Sequence, residues 1–408
     1  MKKGGKLEGW KVEKLGDVCE KVQDGAHSSP KKTYPDKKAN RYLYITSKNI
    51  RNDYVDLSNV AYVDEVFHQS IFPRCNPEFG DVLLTKDGAN TGNVTLNTLK
   101  EPFSLLSSVC LIKPNKGKLS PAFLKYYIQS PNGFQNITGQ MAGAAIKRIV
   151  LHKIKSAKIP VPPLPEQQRI VSVLDEAFAS IAGAKSNTDR NLVNARELFQ
   201  SYLDEIFETP GKHWETCQLD KYVKFIDYRG HTPTKTPSGM RLITAKNVKN
   251  DLLQRTPEEF VDPEIYDTWM VRGIPVKGDV LFTTEAPLAN VAQLDTDEKV
   301  LFAQRIITFQ PQQGKLDQTF LKYLLLSQPI RKDIFSKATG ATVQGIKARL
   351  LKTVEIYFPP LAEQRAIVGR LEALSAETGR LEEIYRSKVE ALEELKRSVL
   401  GKAFEGEL

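Results

Sequence analysis

PPLPEQQRIV at Pro162–Val171 returns as PPLAEQRAIV at Pro359–Val368, so a proline-stopped helix start occurs twice, 197 residues apart. Four further blocks recur in the same order on either side of this pair. GKLSPAFLKYYIQSP at Gly117–Pro131 matches GKLDQTFLKYLLLSQP at Gly314–Pro329, and GDVLLTKDGANTGNV at Gly80–Val94 matches GDVLFTTEAPLANVA at Gly278–Ala292. ITSKNIRN at Ile45–Asn52 matches ITAKNVKN at Ile243–Asn250, and Trp10 with Leu15 is echoed by Trp214 with Leu219. A nearly constant offset over five blocks makes the chain a tandem duplication. A unit of about 200 residues present in two copies is no solenoid, which needs shorter and more numerous repeats.

Each copy changes texture once. Short apolar runs punctuated by Gly, Pro and Asn come first and predict irregular β structure with a few helices. Val82–Thr85 and Val280–Thr283 read as strands leading into loops, Ala122–Gln129 and Thr319–Ser327 as short helices. Prolines then stop the pattern (Pro160, Pro162, Pro163 and Pro165; Pro359 and Pro360) ahead of a long stretch poor in both proline and glycine.

Those stretches are heptad-patterned. Val171, Leu174, Phe178, Ile181, Lys185, Thr188, Leu192, Ala195, Phe199, Tyr202 and Ile206 alternate steps of three and four. Leu371, Leu374, Thr378, Leu381, Tyr385, Lys388, Leu392, Leu395 and Val399 do the same. The narrow seam predicts a coiled coil, with both helices paired antiparallel about a pseudo-two-fold axis. That arrangement is favoured over each helix packing on its own globular unit. The expected fold is a mixed α/β (α+β) tandem duplication: globular domains at 1–160 and 209–357, long helices at 161–208 and 358–408. Roughly 40 residues at 1.5 Å each give a rod of about 60 Å.

Charge divides the chain along the same lines. Residues 1–164 carry +11 and 209–361 carry +4, whereas 165–208 carry −4 and 362–408 carry −2. Basic globular units flanked by acidic helices suggest a polyanion partner for the former, nucleic acid most simply. No apolar run reaches the ~18 residues of a membrane span. Met1-Lys2-Lys3-Gly4-Gly5 lacks the apolar stretch of a signal peptide. Cys19, Cys75, Cys110 and Cys217 are dispersed without a Cys-x-x-Cys pair, against a zinc site or disulfide framework. A cytoplasmic protein with free thiols is the expectation.

The order of globular unit, PPLxEQ and long helix, twice over, resembles the specificity subunit of Type I restriction-modification systems along the whole chain. DGAHSSPKKTY…ITSKNI (Asp24–Ile50), DYRGHTPTKTPSG…ITAKNV (Asp227–Val248) and GIPVKGDVLFTTEAPLANVA (Gly273–Ala292) are similar to stretches of that family's target recognition domains. The resemblance implies a non-catalytic subunit binding double-stranded DNA, each domain reading one half of an asymmetric bipartite site. It further implies that the helix pair sets the spacer and docks two modification (methyltransferase) subunits, with restriction (endonuclease/translocase) subunits completing the complex. S-adenosylmethionine, ATP and Mg would belong to those partners, leaving no cofactor or metal for this chain.

Base edges are read by donors and acceptors in the grooves, and phosphates are held by Lys and Arg. On that basis the candidate contacts fall in four loops. His27, Ser28, Ser29, Lys31 and Lys32 follow a turn-like Asp-Gly. Lys86, Asp87, Asn90 and Thr91 follow a predicted strand. Tyr228, Arg229, His231, Thr232 and Lys235 form the second-copy counterpart of the first loop. Lys147 and Arg148, with Lys347 and Arg349, precede the proline stops. Lys48-Asn49 and Lys246-Asn247 recur in both copies, which suits a shared structural turn better than readout.

Two rival classes are an enzyme carrying its own methylation or nuclease chemistry and a protein-interaction scaffold. Asn76-Pro77-Glu78-Phe79 lacks the second proline of an amino-methyltransferase motif, and Gly117-Lys118 lacks the rest of a phosphate loop. A cluster of Asp81, Lys86 and Asp87 has no lysine in the second copy, where Asp279, Thr284 and Glu285 stand. The positive charge of both globular units disfavours the scaffold.

Overall fold

The computed structural model describes residues 9–139, 148–228, 233–340 and 342–408. The chain divides into two compact units, Met1–Thr188 with Ser387–Leu408, and Asp189–Arg386. Each unit thus combines one globular copy with a segment of both long helices.

In the first unit, strands Cys19–Asp24, Val109–Pro114, Val82–Thr85 and Val94–Leu96 lie in that order in an antiparallel sheet. A second sheet orders Ala61–Asp64, Arg41–Ile45 and Phe103–Leu105, the last two parallel. A ribbon of Lys11–Lys14 with Lys158–Val161 brings the start of the copy beside its end, just ahead of Pro162. Helices Pro121–Gln129 and Pro131–Thr138 each open on a capping serine, Ser120 and Ser130, followed by proline at the first helical position.

The second unit repeats this plan. Val223–Asp227, Ile306–Pro311, Val280–Thr284 and Leu288–Gln293 form its antiparallel sheet. Lys235–Thr236, Phe260–Val261, Met240–Ile243 and Leu301–Phe302 form the other, again with a parallel final pair. Glu215–Gln218 pairs with Glu355–Phe358 as the closing ribbon. Trp10 packs edge-on to Phe123 at 6.3 Å and Trp214 to Phe320 at 6.1 Å, so the echoed tryptophans fill the same place in each core.

The long helices span Leu164–Glu208 and Leu361–Glu405. The glutamine of PPLxEQ clamps each to its globular copy. Gln167, fully buried, accepts at Oε1 from Ser120 N–H (2.7 Å) and donates from Nε2 to the Lys118 and Pro162 carbonyls (both 2.8 Å). Gln364 repeats the pattern with Asp317 N–H and the Lys315 and Pro359 carbonyls. In the first unit Arg169 donates to the Leu408 carbonyl (3.0 Å) and Lys185 pairs with Glu393, so the two helix segments run antiparallel. The second unit has Arg196 on Glu382 (3.0 Å), and Leu203 and Phe207 share a core with Ile367, Val368 and Leu371, again antiparallel.

The helices also plug into the domains, since Leu174, Leu400 and Phe404 belong to the first unit's core. Phe404 lies edge-on to Phe123 (5.2 Å), as Phe207 does to Phe320 (5.4 Å). Pairing and packing on the globular copy are therefore both realised. Val171, Leu174, Phe178, Ile181, Leu192, Phe199, Leu371, Leu374, Leu381, Leu392 and Val399 are buried or half-buried. Leu395, by contrast, is 47% exposed and Lys388 is exposed, while Val389 and Lys396 turn inward. The inward positions after Tyr385 follow a period near 3.6, so a strict 3.5-residue frame drifts off the face. Lys396 uses its inward position to lie over Phe178 and pair with Asp53 at 3.0 Å. No helix among the described residues is long and apolar enough to cross a membrane.

Candidate nucleic-acid interface

In the first domain the His27 loop, the Asp87 loop and Arg148 meet where Cys19–Asp24, Val82–Thr85 and Val109–Pro114 give way to loops. Lys86 N–H donates to the Ser108 carbonyl (2.9 Å), Ile149 N–H to that of Lys86 (2.8 Å), and Asp87 bridges to Arg148. Beneath this rim lies Asp24, buried, with Arg74 Nη2 at 2.7 Å, His27 Nε2 at 3.1 Å and Lys86 Nζ at 3.4 Å. Burial opposes its ionisation. The Arg74 hydrogen bond and the charges of Lys86, His27 and Arg74 outweigh that and hold its carboxyl below the usual range.

This geometry sorts the candidates. Lys86 is only 1% exposed, so it is an internal counter-ion and not a loop-surface residue. Asn90 donates to the Ser47 carbonyl (3.2 Å) and Thr91 to that of Gly88 (2.6 Å), which cinches the loop. Gly88 and Gly92 take φ near +100° there, where other residues are strained. His27, Ser28, Ser29, Lys31, Lys32 and Arg148 face outward. Asp87 lines a cleft of about 700 Å³ with Tyr34, Tyr44, Ser47, Lys48 and Ser108.

The second domain rebuilds the rim with other side chains. Thr284 N–H donates to the Arg305 carbonyl and Ile346 N–H to that of Thr284 (both 2.9 Å), and Glu285 bridges to Gly345. Thr284, Glu285, Arg305 and Gly345 therefore stand where Lys86, Asp87, Ser108 and Arg148 stand in the first domain. Arg305 Nε lies 2.9 Å from Glu285 Oε1, and both line a cleft of about 300 Å³ with Gln304, Thr339 and Lys347. Lys347 and Arg349 are exposed. Tyr228 is instead a core residue: buried, it donates to the Gly273 carbonyl (2.6 Å) and accepts from Arg272 N–H (2.9 Å). Lys235 pairs with Glu259 at 2.7 Å. Lys147, Arg229, His231 and Thr232 lie outside the described residues.

Asn49 and Asn247 do hold a shared turn. Each buried amide accepts from the Thr46 or Thr244 N–H and hydroxyl and donates to carbonyls further along, while Lys48 and Lys246 point outward. No motif singles out Arg305, nor Arg74 and Arg272, whose guanidinium groups donate to the Asp24 and Asp227 carbonyls (2.9 and 2.7 Å). Superposing LLSSVCLI on FAQRIITF at the repeat offset is the signal that exposes the serine-to-arginine difference.

Residues 7–188 and 272–391 match the family model described as the Type I restriction modification DNA specificity domain. The chain belongs to that family. Among other Type I specificity subunits, that of MjaVIII from Methanocaldococcus jannaschii is 24% identical, the match covering 98% of this chain and 93% of the relative. The EcoKI specificity subunit of Escherichia coli K12 is 22% identical, with 99% and 90% covered. Among solved structures, a chain from a type I restriction-modification complex superposes with a TM-score of 0.76 at 21% identity, covering 98% and 99%. The HsdS subunit of Thermoanaerobacter tengcongensis gives 0.60 at 20%, covering 98% of each chain. These likenesses establish the Type I specificity-subunit fold.

Residues that resemble catalytic parts have structural work. Asn76 takes φ +48° as the C-cap of helix Glu65–Cys75. Asp81 accepts from Glu78 N–H (2.7 Å) and pairs with Lys113 (3.2 Å). Asn115 Oδ1 accepts from Gly117 N–H (3.0 Å) in a local turn. Burial pushes the Cys19 thiol up to about 12 and Cys75 to about 11, so both stay protonated and unreactive.

Proposed function

We propose that each globular domain reads one half of a split, asymmetric DNA sequence through its strand-end rim, within a restriction-modification complex. The observation that carries this is one scaffold bearing two different sets of side chains. Asp87, Ser108 and Arg148 on one rim are replaced by Glu285, Arg305 and Gly345 on the other. Scaffold hydrogen bonds that match and rim residues that do not are what two unlike half-sites require. Exposed Lys31, Lys32, Lys347 and Arg349 would supply phosphate contacts.

The long helices would set the spacer between half-sites and dock two modification subunits, with restriction subunits completing the assembly. Their acidic balance fits protein partners better than phosphates. Methyl transfer with S-adenosylmethionine and ATP-driven cleavage with Mg would then reside in those partners, and this chain would be non-catalytic and without cofactor. The structural employment of Asn76, Asp81, Lys86 and Gly117 supports that division.

The test is to exchange residues 209–357 for the matching domain of a relative and map methylated sites in a genome expressing the chain with its modification subunits. One half-site should change while the other and the spacer persist. A chimera that changes both would end the idea of independent readout.

A further inference from the structure

We infer that Arg305 is a base-reading residue of the second domain, its guanidinium recognising a guanine through O6 and N7, and that Glu285 is its positioning partner. The inference rests on the DNA-reading function proposed above and narrows it to one side chain and one base.

Arg305 is held at two points. Its carbonyl accepts from Thr284 N–H at 2.9 Å, and its Nε is braced by Glu285 Oε1 at 2.9 Å. The ion pair at the Nε side leaves the two terminal nitrogens as a fork of donors and restrains the guanidinium beside the cleft. A fork of two parallel donors matches the O6 and N7 acceptors of guanine in the major groove. A phosphate contact needs no such bracing, and flexible Lys347 on the same cleft suits that role. A carboxylate beside the DNA repels phosphates but is useful next to bases, where it orients an arginine or accepts from cytosine.

The backbone gives independent support. Arg305 sits at φ +82° and Ala286, next to Glu285, at φ +49°. Glycine adopts such angles freely, and the first domain has Gly88 at the position of Ala286. A long side chain held at an unfavourable angle, on the rim of a cleft, points to a function for that side chain. The pair itself does not offset that strain, because both side chains are nearly half exposed and such pairs contribute little to stability. At the matched position the first domain has Ser108, whose Oγ accepts from Ser47 N–H at 3.1 Å. The two rims therefore present different groups at that point, a forked double donor in one and a single hydroxyl in the other.

The test compares the full chain with Arg305→Gly, Arg305→Lys, Glu285→Gln and Lys347→Ala, each assembled with its modification subunits and selected against a randomised duplex library. Arg305→Gly relieves the backbone, so loss of folding cannot mimic loss of reading. Preference for guanine at one position of one half-site should fall about 10-fold, within the roughly 5- to 150-fold that a bidentate pair supplies. Arg305→Lys should relax the same position with affinity for unrelated DNA unchanged, and Glu285→Gln should relax it partially. Lys347→Ala should weaken binding to all sequences equally. A wild-type complex that selects a bipartite sequence, with no position altered by Arg305→Gly, overturns the assignment and leaves the proposed function standing. A wild-type complex with no base preference removes both.

Discussion

Replacing Gln167 by alanine tests whether the PPLxEQ motif is a clamp between helix and domain. The amide makes three hydrogen bonds, at 2.7, 2.8 and 2.8 Å, to backbone groups of the Lys118–Ser120 turn and of Pro162. At about 1 kcal/mol net for each, Gln167→Ala should cost about 3 kcal/mol, because alanine satisfies none of the three. Gln364→Ala should cost the same in the second unit, where the amide makes the equivalent set at 2.8, 3.0 and 2.8 Å. The two losses should add, as the sites share no partner. Glu166→Ala, one residue away, serves as the control. Its carboxylate meets Arg169 on an exposed face at 2.8 Å, and its removal should leave the unfolding curve unchanged. Urea unfolding of the full chain measures each difference. A loss below about 1 kcal/mol for Gln167→Ala would refute the clamp and reduce the motif to a helix-start signal.

Three other outcomes follow from the same structure. Asp24→Asn should destabilise by about 3 kcal/mol at pH 7, since it strips buried Lys86 of its counter-ion. Because the folded-state pKa of Asp24 lies below its unfolded value, its contribution is complete above about pH 4 and is lost as pH falls through the folded pKa. Wild type and variant should therefore converge in urea melts as pH falls through the folded pKa, and a constant gap would be inconsistent with this linkage. Substituting Lys31 and Lys32 together should lower the slope of log affinity against log salt by up to about two. An unchanged slope in a salt titration places both lysines off the DNA. Finally, one heptad inserted at Thr188 together with one at Tyr385 adds about 10 Å of helix. The mapped spacer should grow by up to about three base pairs at 3.4 Å each, with both half-sites unchanged. An active complex with the original spacer would show that the helices do not set the distance.

The duplication, the starts of the long helices and the short helices near 122–129 and 319–327 are legible in the amino-acid sequence, because they depend on patterns within a few residues or on self-comparison of the chain. Val82–Thr85 and Pro121–Gln129 stand close to where the pattern places them. The asparagine of the Lys-Asn pair also follows from the repeat, because a side chain that holds a turn must recur wherever the turn does. The seam beyond Tyr385 does not follow, since a 3.5-residue frame and a 3.6-residue helix part company only after several turns.

By itself, then, the sequence determined that the chain is two copies of one unit, each feeding a long helix, and which segments could carry readout. Local periodicity and repetition are properties of the linear chain and need no folding to be seen. The tertiary structure alone decided which polar side chains go inside. Lys86 and His27 look alike as loop residues, yet Asp24, distant from Lys86 in the chain, draws that lysine into the interior while the histidine remains at the surface. Tyr228 is claimed by the Gly273 carbonyl, and Arg305 acquires its brace only when two strand ends bring it against Glu285. Burial and bracing depend on partners far away in sequence, and folding is what supplies them.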